Sequence, residues 1–208
     1  EKFEEILTQS KIEIMKVTQN MLIKITKEAD RETKRKNLKP VSLPEGIFDI
    51  IYADPPWQYD NAGFEQSAQS HYPTMPTEEI CNMPIKKLIN KNSVLFLWVT
   101  NAFLKEGLQV CEAWGFEYKT NMAWIKSKGA GIGWFMQGRH ELLFIATKGE
   151  GMHPAIKPIS WFNGESSKHS RKPEIVYEII EKMYPNHKYL ELFARNKREK
   201  WESWGNEI

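Results

Sequence analysis

Ile47-Phe48-Asp49-Ile50-Ile51-Tyr52-Ala53-Asp54-Pro55-Pro56-Trp57 is the stretch that decides the architecture. A short apolar run that ends abruptly in polar and proline residues is the pattern of a strand buried on both faces of a sheet. Pro55 and Pro56 fix their φ angles and remove two backbone donors, so the strand stops there and Asp54 sits at its tip. Working outward, Val94-Leu95-Phe96-Leu97-Trp98-Val99 is a second strand-sized run, and further strands are predicted over 117–125, 141–147 and 188–194. Helices are predicted between them. One starts at Thr77, read as its cap; one covers 102–114 and stops at Gly115; one opens at Pro173 and runs through Met183, ended by Tyr184-Pro185. Strands alternating with helices predict an α/β sheet covered on both faces, with ligands at the carboxyl ends of the strands.

Composition fits one domain of that kind. The chain has 208 residues, 41% hydrophobic and 27% charged, which excludes a disordered, collagen-like or low-complexity protein. No apolar stretch reaches the roughly 18–20 residues of a membrane span. The first residues, Glu1-Lys2-Phe3-Glu4-Glu5, have no secretory character. Cys81 and Cys111 are far apart and outside any CxxC spacing, so neither a disulfide framework nor a zinc site is expected, and a reducing compartment fits. The net charge of +2 does not by itself announce a nucleic-acid partner. Eight Trp residues, several in polar surroundings, hint at stacking surfaces, against the commoner use of Trp in cores.

Two regions are expected. Residues 1–39 read as a helix to about Arg35 followed by a basic tail of Lys34, Arg35, Lys36 and Lys39. Phe3, Leu7, Ile14, Val17, Met21 and Ile25 make an apolar stripe that either docks on the chain's own domain or takes a partner. Pro40, Pro44 and Gly46 then mark entry to the main domain, 40–208. Within it, 58–77, 128–138 and 148–171 read as loops. The last is longer than compact domains usually carry, a sign of function.

The strand tip carries the chemistry. A carboxylate at Asp54, carbonyls freed by the two prolines, and the flat face of Trp57 together form a receptor for an amino group on a planar heterocycle. Gly129-Ala130-Gly131-Ile132-Gly133 looks like part of a dinucleotide fingerprint. The next residues, Trp134-Phe135-Met136-Gln137-Gly138, lack the third glycine in register and do not open a helix, so a nicotinamide site is rejected. A substrate-facing loop is the better reading, with Trp134 and Arg139 as nucleic-acid contacts. Lys197, Arg198 and Lys200 beside Trp201 form a second basic-aromatic cluster, or else a solvated charge run.

Asp54-Pro55-Pro56-Trp57 resembles the catalytic signature of the MT-A70 family of S-adenosylmethionine-dependent N6-adenine methyltransferases. The resemblance continues through His71-Tyr72-Pro73-Thr74-Met75, Leu95-Phe96-Leu97-Trp98-Val99-Thr100, Ala113-Trp114-Gly115-Phe116-Glu117, Ser170-Arg171-Lys172-Pro173-Glu174, Glu191-Leu192-Phe193-Ala194-Arg195 and Trp204-Gly205-Asn206. It covers about residues 48–208, and its wording is nearest to phage and bacterial DNA-modifying members and to a ciliate DNA adenine methyltransferase subunit.

The resemblance implies a Rossmann-like class I methyltransferase sheet flanked by helices, with the N-terminal helix as an addition. It implies that Asp54 and the Pro55 carbonyl accept hydrogen bonds from the adenine N6 amine, that Trp57 packs on the base, and that Tyr72 walls it on the other side. On the cofactor side it implies Lys172 for the methionyl carboxylate, aided by the helix dipole behind Pro173. Arg195, Asn206 and Glu207 would handle ribose and adenine, with Lys197 where messenger-RNA enzymes have histidine, and Asn37 in place of an upstream aspartate. The implied cofactor is S-adenosyl-L-methionine, and no metal is called for. Implied partners are nucleic acid, DNA ahead of RNA, and a methyltransferase-like paralogue in a heterodimer. The implied location is the nucleus in a eukaryote and otherwise the cytoplasm. RNA methylation and a non-catalytic nucleic-acid-binding subunit are the competing readings.

Overall fold

The computed structural model describes residues 2–36, 42–58, 74–127, 135–165, 171–206 and 208. Helix α1 spans Lys2–Lys36. The sheet domain then runs β1 (Phe48–Ala53), α2 (Thr77–Asn82), β2 (Ile89–Val99), α3 (Leu104–Ala113), β3 (Glu117–Lys126), β4 (His140–Lys148), β5 (Trp161–Gly164), α4 (Ile175–Met183), β6 (Tyr189–Leu192) and β7 (Trp201–Trp204). Among the described residues, seven strands form one sheet in the order β5-β3-β4-β2-β1-β6-β7. This is the mixed α/β, Rossmann-like arrangement expected.

The strand directions decide where the chemistry falls. β1 runs parallel to both β2 and β6, β6 parallel to β7, and β3 parallel to β5. β4 is antiparallel to its two neighbours, β2 and β3. Of these seven strands it therefore runs against the other six. The carboxyl ends of those six share one edge with the amino end of β4, so a residue opening β4 meets residues that close β1.

Side-chain alternation divides the core between the two faces. Ile51, Ala53, Leu95, Leu97 and Val99 pack with Ile80 of α2 and with Val110, Cys111 and Trp114 beneath α3. Ile50, Tyr52, Val94, Phe96 and Trp98 face the opposite way, onto Val176, Ile180 and Met183 of α4. Trp114 donates its indole N–H to the Ile80 carbonyl at 2.8 Å, tying α2 to α3. Gly115 ends α3 at φ +85°, the left-handed conformation for which a glycine was expected there.

Several expected boundaries are corrected. β2 begins at Ile89 rather than Val94; its polar start is held by side chains, Asn90 donating to Asp49 at 3.0 Å and Asn92 accepting the Glu150 N–H at 3.2 Å. Pro76, not Thr77, occupies the cap position of α2, and no side chain caps it. α4 opens at Ile175, two residues past Pro173, whose carbonyl accepts the Val176 N–H at 3.2 Å. Residues 148–171 contain β5, and a seventh strand, β7, follows Lys200.

The stripe of α1 is open to water: Ile14, Val17 and Met21 are each 65% exposed and Ile25 57%. Through those residues the helix is not docked on the sheet. Among the described residues no helix is long and apolar enough to cross a membrane.

Candidate active site

Asp54 follows the last residue of β1 directly, where the backbone is held between β2 and β6 and Ala53 is wholly buried. Its carboxylate accepts an ion-paired hydrogen bond from Lys172 Nζ at 2.7 Å. Lys172 also lies 3.3 Å from Glu141, and Lys126 reaches Glu141 at 2.5 Å. The reversed direction of β4 explains the cluster: Glu141 opens β4 on the edge where Asp54 closes β1 and Lys126 closes β3. Two cations and two carboxylates balance. Lys172 lies 5.4 Å from the ring centroid of Trp98, and Lys126 lies 5.0 Å from that of Trp124.

Burial pushes the Asp54 carboxyl up against the pull of Lys172. Glu141 is held below its ordinary range, because Lys172 and Lys126 together outweigh its desolvation. Lys172 is held above its own, since two carboxylates favour the ammonium over the cost of burying it.

Beside this cluster lies a cavity of about 180 Å³. Tyr52, Asp54, Lys172, Tyr177, Glu191 and Arg195 line it, with Lys197 at its rim. Phe193, also lining it, turns the chain out of β6 at φ +63° and packs edge-on against Trp204. A bulky residue in that conformation carries local strain, of the kind that gathers at functional sites. A cavity of this size takes one end of a cofactor-sized ligand.

Glu191 is a site residue to which the sequence reading gave no role. It pairs in register with Tyr52 on β1, is 8% exposed, and accepts the Tyr177 hydroxyl at 2.7 Å. Its second oxygen, Oε2, is buried with no hydrogen-bond partner among the described residues. Burial, with Asp54 and Glu174 nearby, raises its carboxyl from 4.5 to about 7. Between pH 4.5 and 7 the folded protein therefore holds a proton that the unfolded chain has lost. Stability falls as pH rises through that window, and the full cost stands above pH 7. Glu191→Gln is expected to raise stability at pH 8 by up to about 3 kcal/mol and to leave pH 4.5 unchanged. Urea midpoints of both proteins at the two pH values check this.

The other expected site residues divide. Asp54, Lys172, Arg195 and Lys197 meet at the cavity. Asn206 is exposed, next to a glycine whose missing side chain lets the chain close on the Ala194 backbone. Arg139 is exposed on the β3–β4 connection, at the same sheet edge. Tyr72, Trp134, Glu207 and Asn37 lie outside the described residues.

Three expectations about side chains and carbonyls are corrected. The carbonyls of the proline pair are not uncontested: Pro55 accepts the Trp57 N–H at 2.9 Å and Pro56 the Met75 N–H at 2.7 Å. Pro55 keeps its second lone pair for another donor. Trp57 is 7% exposed, stacked on Phe103 at 5.3 Å and donating to the Trp98 carbonyl at 3.1 Å. It braces the loop from beneath rather than offering an open face. The basic-aromatic cluster after Arg195 is also dismantled. Arg198 bonds Glu174 and Glu181 and lies 4.5 Å from the Tyr177 ring centroid, while buried Trp201 donates to Glu181.

The family model for MT-A70 matches residues 48–207. The Type II methyltransferase M.MunI of Mycoplasma sp is 32% identical, the match covering 88% of each chain. The human N(6)-adenine-specific methyltransferase METTL4 is 31% identical over 82% of this chain and 39% of its own length. The human N(6)-adenosine-methyltransferase catalytic subunit METTL3 is 27% identical over 78% of this chain and 28% of its own. The chain thus spans most of the first relative and well under half of the other two.

Proposed function

The chain belongs to the MT-A70 family of methyltransferases, and from that premise we propose that it transfers a methyl group from S-adenosyl-L-methionine to N6 of adenine in DNA. The observation that carries this reading is the Asp54 carboxylate, fixed at a strand tip on the wall of a cavity that also presents Lys172 and Arg195.

The donor set suits the cofactor. Lys172 supplies a cation for a carboxylate, and the buried, unpartnered oxygen of Glu191 is an acceptor without a donor. When bound, S-adenosyl-L-methionine supplies a methyl carbon already activated on a sulfonium. What remains for the protein is position and electrostatics. Asp54 and the free lone pair of the Pro55 carbonyl accept from the two N–H bonds of the adenine amine. That interaction draws the nitrogen lone pair out of the ring and aims it at the electrophile. A base whose two amino hydrogens are both taken cannot keep its Watson–Crick pair, so the target is single-stranded or turned out of a duplex.

DNA is favoured over RNA because the match that covers 88% of each chain is to a Type II methyltransferase. A methyltransferase-like paralogue as partner is supported by the name of METTL3 as a catalytic subunit and by the modest charge of +2, which leaves phosphate binding to be shared. The site of action follows the substrate: the nucleus in a eukaryotic cell and otherwise the cytoplasm. The test is transfer of labelled methyl to DNA and RNA oligomers of one sequence, with N6-methyladenine identified in the product. Labelling of DNA at N6 supports the reading; labelling of RNA alone, or of another atom, overturns it.

A further inference from the structure

The connection from β3 to β4 ends in Phe135-Met136-Gln137-Gly138-Arg139. Phe135 is 99% exposed and Met136 83%, although both are large and apolar. Neighbouring elements hold the base of the connection. The Lys126 N–H donates to the Arg139 carbonyl at 2.8 Å, and the Ser127 N–H donates to Gly164 at 3.2 Å. Two residues past Arg139 the chain reaches Glu141, one contact from Lys172 and two from Asp54. Chain length alone keeps Phe135 within about 20 Å of Glu141.

From this placement we infer that Phe135 and Met136 are a wedge that enters a DNA duplex beside the target adenine and fills the gap left when that base turns out. The inference rests on the reading of the substrate as adenine in DNA. Among the described residues of the connection the exposed large apolar side chains are Phe135 and Met136, with Ile125 on the adjoining end of β3 38% exposed. That is far short of the core of a stable protein–protein interface, and the pair matches the one or two apolar residues with which proteins part a base step. The charge beside it suits a phosphate backbone: Arg139 is exposed three residues on. Arg139 then bears on the strand while the pair enters the stack.

The test uses the full chain and three oligomers of one sequence: a paired duplex, the same duplex with an abasic site opposite the target adenine, and the single strand. The double variant Phe135→Ala/Met136→Ala is expected to methylate the paired duplex at least about 10-fold more slowly than wild type, since nothing then offsets the unstacking of the step. On the other two oligomers it should stay within about 2-fold of wild type, because little or no pairing is left to break. With 2-aminopurine at the target position of the paired duplex, wild type should raise the fluorescence and the variant should raise it less. An equal loss on all three oligomers overturns the wedge, and so does no loss on the paired duplex or a wild type active on the single strand alone. If wild type methylates none of the three, the proposed function itself fails, and the two failures are told apart.

Discussion

Asp54→Asn is expected to cut methyl transfer by about 1,000-fold while leaving the protein folded, the scale on which removing one aligned polar partner from a reacting centre acts. Asparagine keeps the size of the side chain but exchanges an anionic acceptor pair for one neutral acceptor and one donor. The donor faces an adenine amine that also donates. Lys172 keeps Glu141 as a partner, so its buried charge is not abandoned. Labelled-methyl transfer gives the rate, and a thermal melt within a few degrees of wild type shows the fold. Wild-type activity in the variant would remove Asp54 from the chemistry.

Lys172→Met is expected to act in the other direction, on stability first. It leaves Asp54 without its ion-pair partner and Glu141 with Lys126 alone, both deep in the edge of the sheet. Breaking a buried pair by deleting one member costs about 3–5 kcal/mol, because the remaining charge is desolvated without compensation. The loss should shrink as pH falls, since carboxylates relieved of Lys172 protonate more readily. Adding Asp54→Asn should recover part of it by removing the carboxylate left without a cation, while Glu141 keeps Lys126. Urea denaturation of the three proteins at pH 5 and pH 8 measures all of this. A Lys172→Met protein as stable as wild type at pH 8 would mean that the cluster holds nothing together.

These two residues were legible in the sequence for different reasons. Asp54 stands where an apolar run meets two prolines, a local signal that needs no knowledge of the fold. Lys172 has no such signal; the resemblance of Ser170-Arg171-Lys172-Pro173-Glu174 to a family motif is what singled it out. Glu141 was not legible. It enters the cluster because β4 runs against its neighbours, a tertiary fact that no spacing encodes. Glu191 was visible inside a motif, yet its buried and unpartnered oxygen comes from packing against Tyr177.

The same division governs the fold. β1 and the apolar half of β2 announce themselves by composition, and α3 by its period and its terminal Gly115. β5 and β7 have four residues each and are strands only through the ladders that β3 and β6 offer them. Trp57 and Trp201 show the limit of reading aromatics as surfaces. Each looks available in the sequence, and each is enclosed.

Because odd and even positions over 50–53 of β1 and 94–99 of β2 open into separate chambers, the sheet acts as a partition between two reservoirs of packing free energy. Val110→Ala on one side and Ile180→Ala on the other have no common neighbour in the two clusters. Their costs should simply sum in the double variant, within about 0.5 kcal/mol. The two halves of the interior can then drift independently in sequence, provided the partition itself is kept.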